Sequence, residues 1–188
     1  NFGSNLIYKK NVFGLEKTKF DTNKRIFNKD LGGGVILDLG CYTTSMSLMI
    51  ASLIENIEIS KFELENIQTD YLHENLDINS SAIINFDNRF FSKIKTSFSK
   101  KIGNKTIILG DQGQITIENS WNPNNSILKI LGKKNEIIEF KETKNLYSLE
   151  IDYISQDIIE GKTQSSFPGI NKENILLNSK IITNWINA

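Results

Sequence analysis

The stretch "LGGGVILDLGCY", Leu31 to Tyr42, gathers residues whose types could do chemistry. Gly32, Gly33 and Gly34 open it, and a carboxylate, Asp38, and a phenol, Tyr42, follow. If the stretch is helical, Asp38 and Tyr42 share a face and Cys41 is a further neighbour of Asp38. A carboxylate inside "VILDLG" costs several kcal/mol if it is buried without a partner. Asp38 therefore either bonds a core tyrosine, pairs with Arg25, or faces a polar pocket. Bare glycine at the start of a helix lets a ligand or another backbone come close. The free N–H groups there favour anionic or hydroxyl-rich ligands. From the residues alone, a structural turn and a substrate pocket both stand.

Two nucleotide readings fall on spacing. A Walker loop ends in Gly-Lys-Ser/Thr so that lysine reaches phosphate, whereas these glycines lead into Val35 and Ile36. A dinucleotide fingerprint needs G-x-G-x-x-G after a buried strand, and "RIFNKD" is no such strand. His73, the single histidine, sits in a loop-like stretch with no Cys/His/Asp cluster around it, so no metal site is expected. Cys41 reads as a small buried hydrophobe, since no histidine lies near it in sequence to activate it. Trp121 and Trp185 read as packing residues, with Trp121 beside "NPNN" also able to line a ligand or a partner.

The elements that must position these groups are legible in outline. "NLIYKKNVFGLEK" holds a short strand or an extended arm. Val35 to about Leu53 reads as a helix with Val35, Leu39, Met46, Met49, Ile50 and Leu53 on a buried face, bent at Gly40. Strand signals fill the middle: "ISKFELENIQ", then "SAIINF" and "SKIKTSFS" about a turn at Asp87-Asn88. "NKTIILGDQGQITIEN" is a hairpin turning at Gly110 to Gly113, and "SILKILGKKNEIIEF" turns near Gly132 to Asn135. The tail returns to helix. Leu146, Leu149, Tyr153, Ile154 and Ile158 follow helical spacing up to a cap at Gly161. Asn171 or Asn174 then caps a last helix with Ile175, Leu177, Ile181, Ile182 and Trp185 on one face. The expected fold is α+β: a large, mostly antiparallel sheet with helices on one face and a partner subunit or domain over the other.

Composition bounds the classes. The 188 residues are 39% hydrophobic, enough for one domain with a real core. Lys plus Arg and Asp plus Glu balance at 22 each, which argues against a nucleic-acid partner. A single cysteine excludes an intrachain disulfide framework. No apolar run is expected to cross a membrane and no signal peptide opens the chain, so a cytoplasmic protein is the expectation.

The residues Arg25, Gly32, Gly33, Gly34, Asp38, Gly40 and Tyr42 fill, in order, a motif of the Gfo/Idh/MocA oxidoreductases. "NKRIFNKDLGGGVILDLGCY" resembles the helix that opens their C-terminal domain, and the order of elements after it is similar. The resemblance covers nearly the whole chain, with residues 1–30 an arm or linker from a missing N-terminal domain. It implies transfer of hydride between NAD or NADP and a hydroxyl or carbonyl carbon of a sugar, cyclitol or related polyol. The cofactor would be held mainly by a Rossmann-like N-terminal domain that also brings a lysine in a Glu-Lys-Pro motif. This chain has neither; Glu16 and Lys17 are followed by Thr18. On this resemblance Tyr42 is the acid–base group, and Asp38 binds a substrate hydroxyl or orients that group. Arg25, Gly33 and Gly34 border the substrate. Free tyrosine has a pKa of about 10, so a base role needs a cation beside it. A homo-oligomer through the open sheet face is expected. The isolated chain is expected to be inactive, and the competing reading is a non-catalytic oligomerisation or protein-interaction domain without cofactor.

Overall fold

Strand alternation builds the frame of this protein, and a computed structural model describes residues 6–14, 20–21, 23–121 and 125–188 of it. The Glu16, Lys17 and Thr18 segment lies outside the described residues. The strands are β1 (Leu6–Gly14), β2 (Phe62–Leu72), β3 (Leu76–Phe86), β4 (Phe90–Ser97), β5 (Thr106–Gly110), β6 (Gly113–Ile117), β7 (Asn125–Gly132) and β8 (Glu136–Lys141). Among the described residues they form one eight-stranded sheet in the order β2-β3-β4-β1-β5-β6-β7-β8. Every neighbouring pair is antiparallel except β1 with β4. Of the two readings of the N-terminal stretch, the strand is the one found. β1 sits mid-sheet, with Asn11 opposite Ile94 on one side and Thr106 on the other.

Turn chemistry sets the registers. Asp87 and Asn88 take φ 52° and 54° between β3 and β4. Two positive φ angles are what a two-residue hairpin asks for, because that twist matches the strands. Ala82, Ile84, Phe86, Phe90 and Ile94 then fall on one face and are buried. On the other face Glu65, Ile83 and Lys93 share one register row.

Three helices complete the fold: α1 (Cys41–Ala51), α2 (Leu146–Ile159) and α3 (Lys172–Ile186). α1 and α3 pack together on the apolar sheet face. Their core includes Val35, Ile36, Leu48, Phe98, Ile181 and Trp185. Burying each such side chain contributes roughly 1.5–3 kcal/mol. Ser47 Oγ and Ser92 Oγ, 2.7 Å apart, tie α1 to β4. Asn145 and Asn171 cap α2 and α3 by accepting the N–H of Tyr147 and Asn174.

Three expectations need correction. The helix predicted from Val35 ends at Ala51, and Leu53 is 61% exposed rather than on the buried face. On α2, Leu146 and Leu149 are half-buried, whereas Ile154 and Ile158 are exposed. Periodicity marks an apolar face but not what covers it. Finally, the helical run Lys29–Ala51 does reach the length and apolarity of a membrane span, but 61% of its most apolar window is buried inside the protein. Packing on the sheet accounts for that apolarity.

Candidate active site

Two short 3₁₀ turns, Arg25–Phe27 and Lys29–Leu31, lead into the glycines. Asn28 joins them: its Oδ1 accepts Asp30 N–H at 3.0 Å and its carbonyl accepts Gly33 N–H at 2.8 Å. Such local bonding is why Asn favours turns. Gly34 N–H donates to the Ile26 carbonyl at 3.1 Å. A Cβ on Gly33 would lie 2.6 Å from the carbonyl oxygens of Arg25 and Asn28. At Gly34, where φ is 117°, a Cβ would collide with the Asp77 carboxylate. Both glycines are buried, and the close approach they permit is made by this chain's own atoms.

Asp77 comes from the start of β3, and its Oδ2 accepts the Ile36 N–H at 2.7 Å. It caps a helix start from a distant strand, where the helix dipole favours negative charge. Burial pushes its carboxyl above the usual range, against the opposing pull of the Ile36 and Val35 N–H groups. Because Asp77 already takes the Ile36 N–H and would repel a phosphate, the turn does not fit the phosphate end of a dinucleotide.

Ile36–Gly40 is a π-helical turn that runs into α1. A π turn leaves carbonyls without their usual partner. Here the Thr43 and Thr44 hydroxyls donate to the Gly40 carbonyl at 2.9 and 3.1 Å. The Trp185 ring lies against Gly40, so close that a Cβ there would sit 2.9 Å from Cζ3. The bend expected at Gly40 is thus a widened turn under a tryptophan, with α3 as its support.

Above this support the charged groups meet. Arg25 Nη2 donates to Asp38 Oδ1 at 2.9 Å and its Nη1 to the Gly32 carbonyl at 3.1 Å. One guanidinium thus joins the glycine turn to the carboxylate. The Asp38 side chain is 20% exposed and that of Arg25 55%. Tyr42, 52% exposed, meets Trp121 edge-to-face, ring centroids 6.1 Å apart. Burial first, then neighbouring acidic groups including the Asp38 and Glu150 carboxylates, pushes its phenol above the ordinary value, so it stays protonated at neutral pH. Burial likewise pushes the Cys41 thiol up, which leaves it a poor nucleophile.

The fold therefore brings Arg25, Asp38 and Tyr42 to one side, with Gly33 and Gly34 buried beneath. Trp121 joins them from the end of the β5–β6 hairpin, and Asp77 was not foreseen. His73 lies apart, in a 3₁₀ turn between β2 and β3. Among the described residues no group of three or more His, Cys, Asp or Glu could hold a metal ion. The site's chemistry is that of a phenol donor beside a carboxylate and a guanidinium.

The chain is similar to several known proteins. Trans-1,2-dihydrobenzene-1,2-diol dehydrogenases of Xenopus laevis and Xenopus tropicalis are 24% and 25% identical over 79% and 81% of this chain. The chain spans 45% and 46% of their lengths, less than half of each. In fold it is similar to an aldose-aldose oxidoreductase from Caulobacter crescentus, with TM-score 0.75 at 18% identity, covering 99% of this chain and 54% of that one. It is also similar to KijD10, a 3-ketoreductase from Actinomadura kijaniata seen with NADP and TDP-benzene, with TM-score 0.73 at 14% identity, covering 95% of this chain and 52% of that one. The model of the GFO/IDH/MocA C-terminal domain matches residues 12–116, more than half of the chain, and this chain belongs to that family of oxidoreductase domains.

Proposed function

We propose that this chain is the substrate-binding and assembly part of an oxidoreductase that interconverts a hydroxyl and a carbonyl carbon on a sugar, cyclitol or related small polyol. The observation that carries the reading is the convergence of Arg25, Asp38 and exposed Tyr42 above the glycine turn. NAD or NADP, when bound, supplies or takes the hydride, and a region outside this chain holds it. Tyr42 gives its phenolic proton to the carbonyl oxygen as the carbonyl is reduced, and takes it back in oxidation. Its raised pKa keeps the phenol protonated at neutral pH; a cation from outside this chain would be needed to make it a base. Asp38 accepts a substrate hydroxyl while Arg25 holds it in place. Trp121 offers an apolar wall to the C–H face of the ring. The sheet face opposite the helices, which carries exposed Leu131 and Ile137, is the proposed homo-oligomer surface.

The test uses the full-length protein. Tyr42→Phe should lower kcat roughly 10²- to 10⁴-fold, the usual share of acid–base catalysis, with nicotinamide affinity unchanged. Asp38→Asn should weaken substrate use more than cofactor binding. Unaltered turnover by the Tyr42→Phe protein would remove the acid–base role. Absence of any nicotinamide binding by the full-length protein would favour the non-catalytic interaction domain.

A further inference from the structure

The row Val35, Leu39, Thr43, Ser47 and Ala51 is buried throughout, although its members stand four residues apart. An α-helix advances about 100° per residue, so each such step overshoots a full turn by about 40° and the row should wind away from the core. The π-helical turn Ile36–Gly40 corrects this. It closes i→i+5, each residue advances less, and the row stays inward. The same correction acts on the outer side of the helix. Asp38 lies inside the widened turn and Tyr42 just beyond it, so the two come more nearly into line along the axis than α spacing gives.

A turn that gives up regular closure needs support from outside, and α3 supplies it. The Trp185 ring fills the space beside Gly40, where an added Cβ would meet Cζ3 at 2.9 Å and Cε3 at 3.6 Å. Seven residues earlier, on the same face of α3, Asn178 Nδ2 donates to the Cys41 carbonyl at 3.4 Å. Trp185 is 1% exposed, yet its indole N–H has no hydrogen-bond partner among the described residues. A buried N–H without a partner is costly, so what the ring contributes here is its shape. We infer that Trp185 is a positioning residue for the reaction proposed above: its ring holds the widened turn at Gly40 and so sets Tyr42 in line with Asp38. The inference rests on that proposed function and names what aligns its two groups. Trp185 acts through the Gly40 backbone.

The experiment uses the full-length protein. Trp185→Leu, assayed at a temperature where it stays folded, should lower kcat roughly 10- to 100-fold with nicotinamide affinity unchanged. Trp185→naphthylalanine keeps a bicyclic shape without the N–H and should restore kcat. A second readout needs no turnover. With 3-fluorotyrosine in place of Tyr42, the fluorine chemical shift should respond to Asp38→Asn when Trp185 is present and lose that response in Trp185→Leu. If Trp185→Leu does not fold, Trp185→Phe, which removes only part of the bicyclic ring, takes both readouts. Unchanged kcat, no restoration by naphthylalanine, or a fluorine response that is absent with Trp185 or survives its loss would each overturn the inference. The two claims fail separately. If no nicotinamide binds, the oxidoreductase reading falls and the fluorine response alone decides the positioning. Turnover that Trp185→Leu leaves intact keeps that reading and removes the positioning role.

Discussion

Removing Asp77 should loosen the start of the helix that carries Asp38 and Tyr42. In Asp77→Ala the Ile36 N–H loses its acceptor at 2.7 Å, beside a helix start that is otherwise buried. A hydrogen bond to a charged group is worth about 1.5–3 kcal/mol, and Asp77→Ala should cost about that much. Asp77→Asn keeps an oxygen in the same place and removes a charge that burial disfavours, so its cost should stay under about 1 kcal/mol. The two variants differ in pH dependence as well. Burial holds the Asp77 proton to higher pH in the folded chain than the ordinary value of 3.8. Between that value and the raised one the folded state binds more protons than the unfolded state, so this group's contribution to stability falls as pH rises. The wild-type protein should therefore gain on Asp77→Asn as pH is lowered through this window. Gly34→Ala gives an independent check, because its added methyl collides with the Asp77 carboxylate. Gly34→Ala with Asp77→Ala should cost less than the sum of the two. Urea unfolding followed by tryptophan fluorescence measures all of these. The reasoning fails if Asp77→Ala costs no more than Asp77→Asn, or if the Gly34 and Asp77 changes simply add.

Two further outcomes follow from the same supports. Gly40→Ala drives a methyl against the Trp185 ring, 2.9 Å from Cζ3, and should destabilise by about 1–3 kcal/mol in the same unfolding assay. At the other end of α2, Asp157 accepts the Ser166 N–H and a Lys162 ammonium hydrogen, and these hold its carboxyl at about 2. That stabilisation is present above the ordinary value of 3.8 and lost as pH falls toward about 2. Asp157→Asn should therefore speed exchange of the Ser166 amide at neutral pH, and the difference should vanish near the lower value.

Much of the fold was legible because it is written locally. Asp87-Asn88 names its own hairpin turn, and the alternation of β3 and β4 separates a core face from an open one. Asn171 caps α3 through a bond to Asn174, three positions away. The site was legible in part, since Arg25, Asp38 and Tyr42 lie within one short motif. Asp77 was not, because it reaches the site from a distant strand. Asp77 bonds a residue 41 positions away, and no local pattern signals such a bond.

The glycines show where the boundary falls. Sequence by itself determined that the backbone between Leu31 and Val35 allows a close approach and that a buried Asp38 is costly without a partner. It also settled against a phosphate loop, because that chemistry needs a lysine or a fixed glycine spacing. Only the tertiary structure decided what comes close: the Asn28 and Arg25 carbonyls at Gly33, Asp77 at Gly34 and Trp185 at Gly40. The physical reason is reach. A glycine's conformational freedom is a property of one residue, whereas the atom that fills the space beside it is delivered by whichever strand or helix the whole sheet brings there.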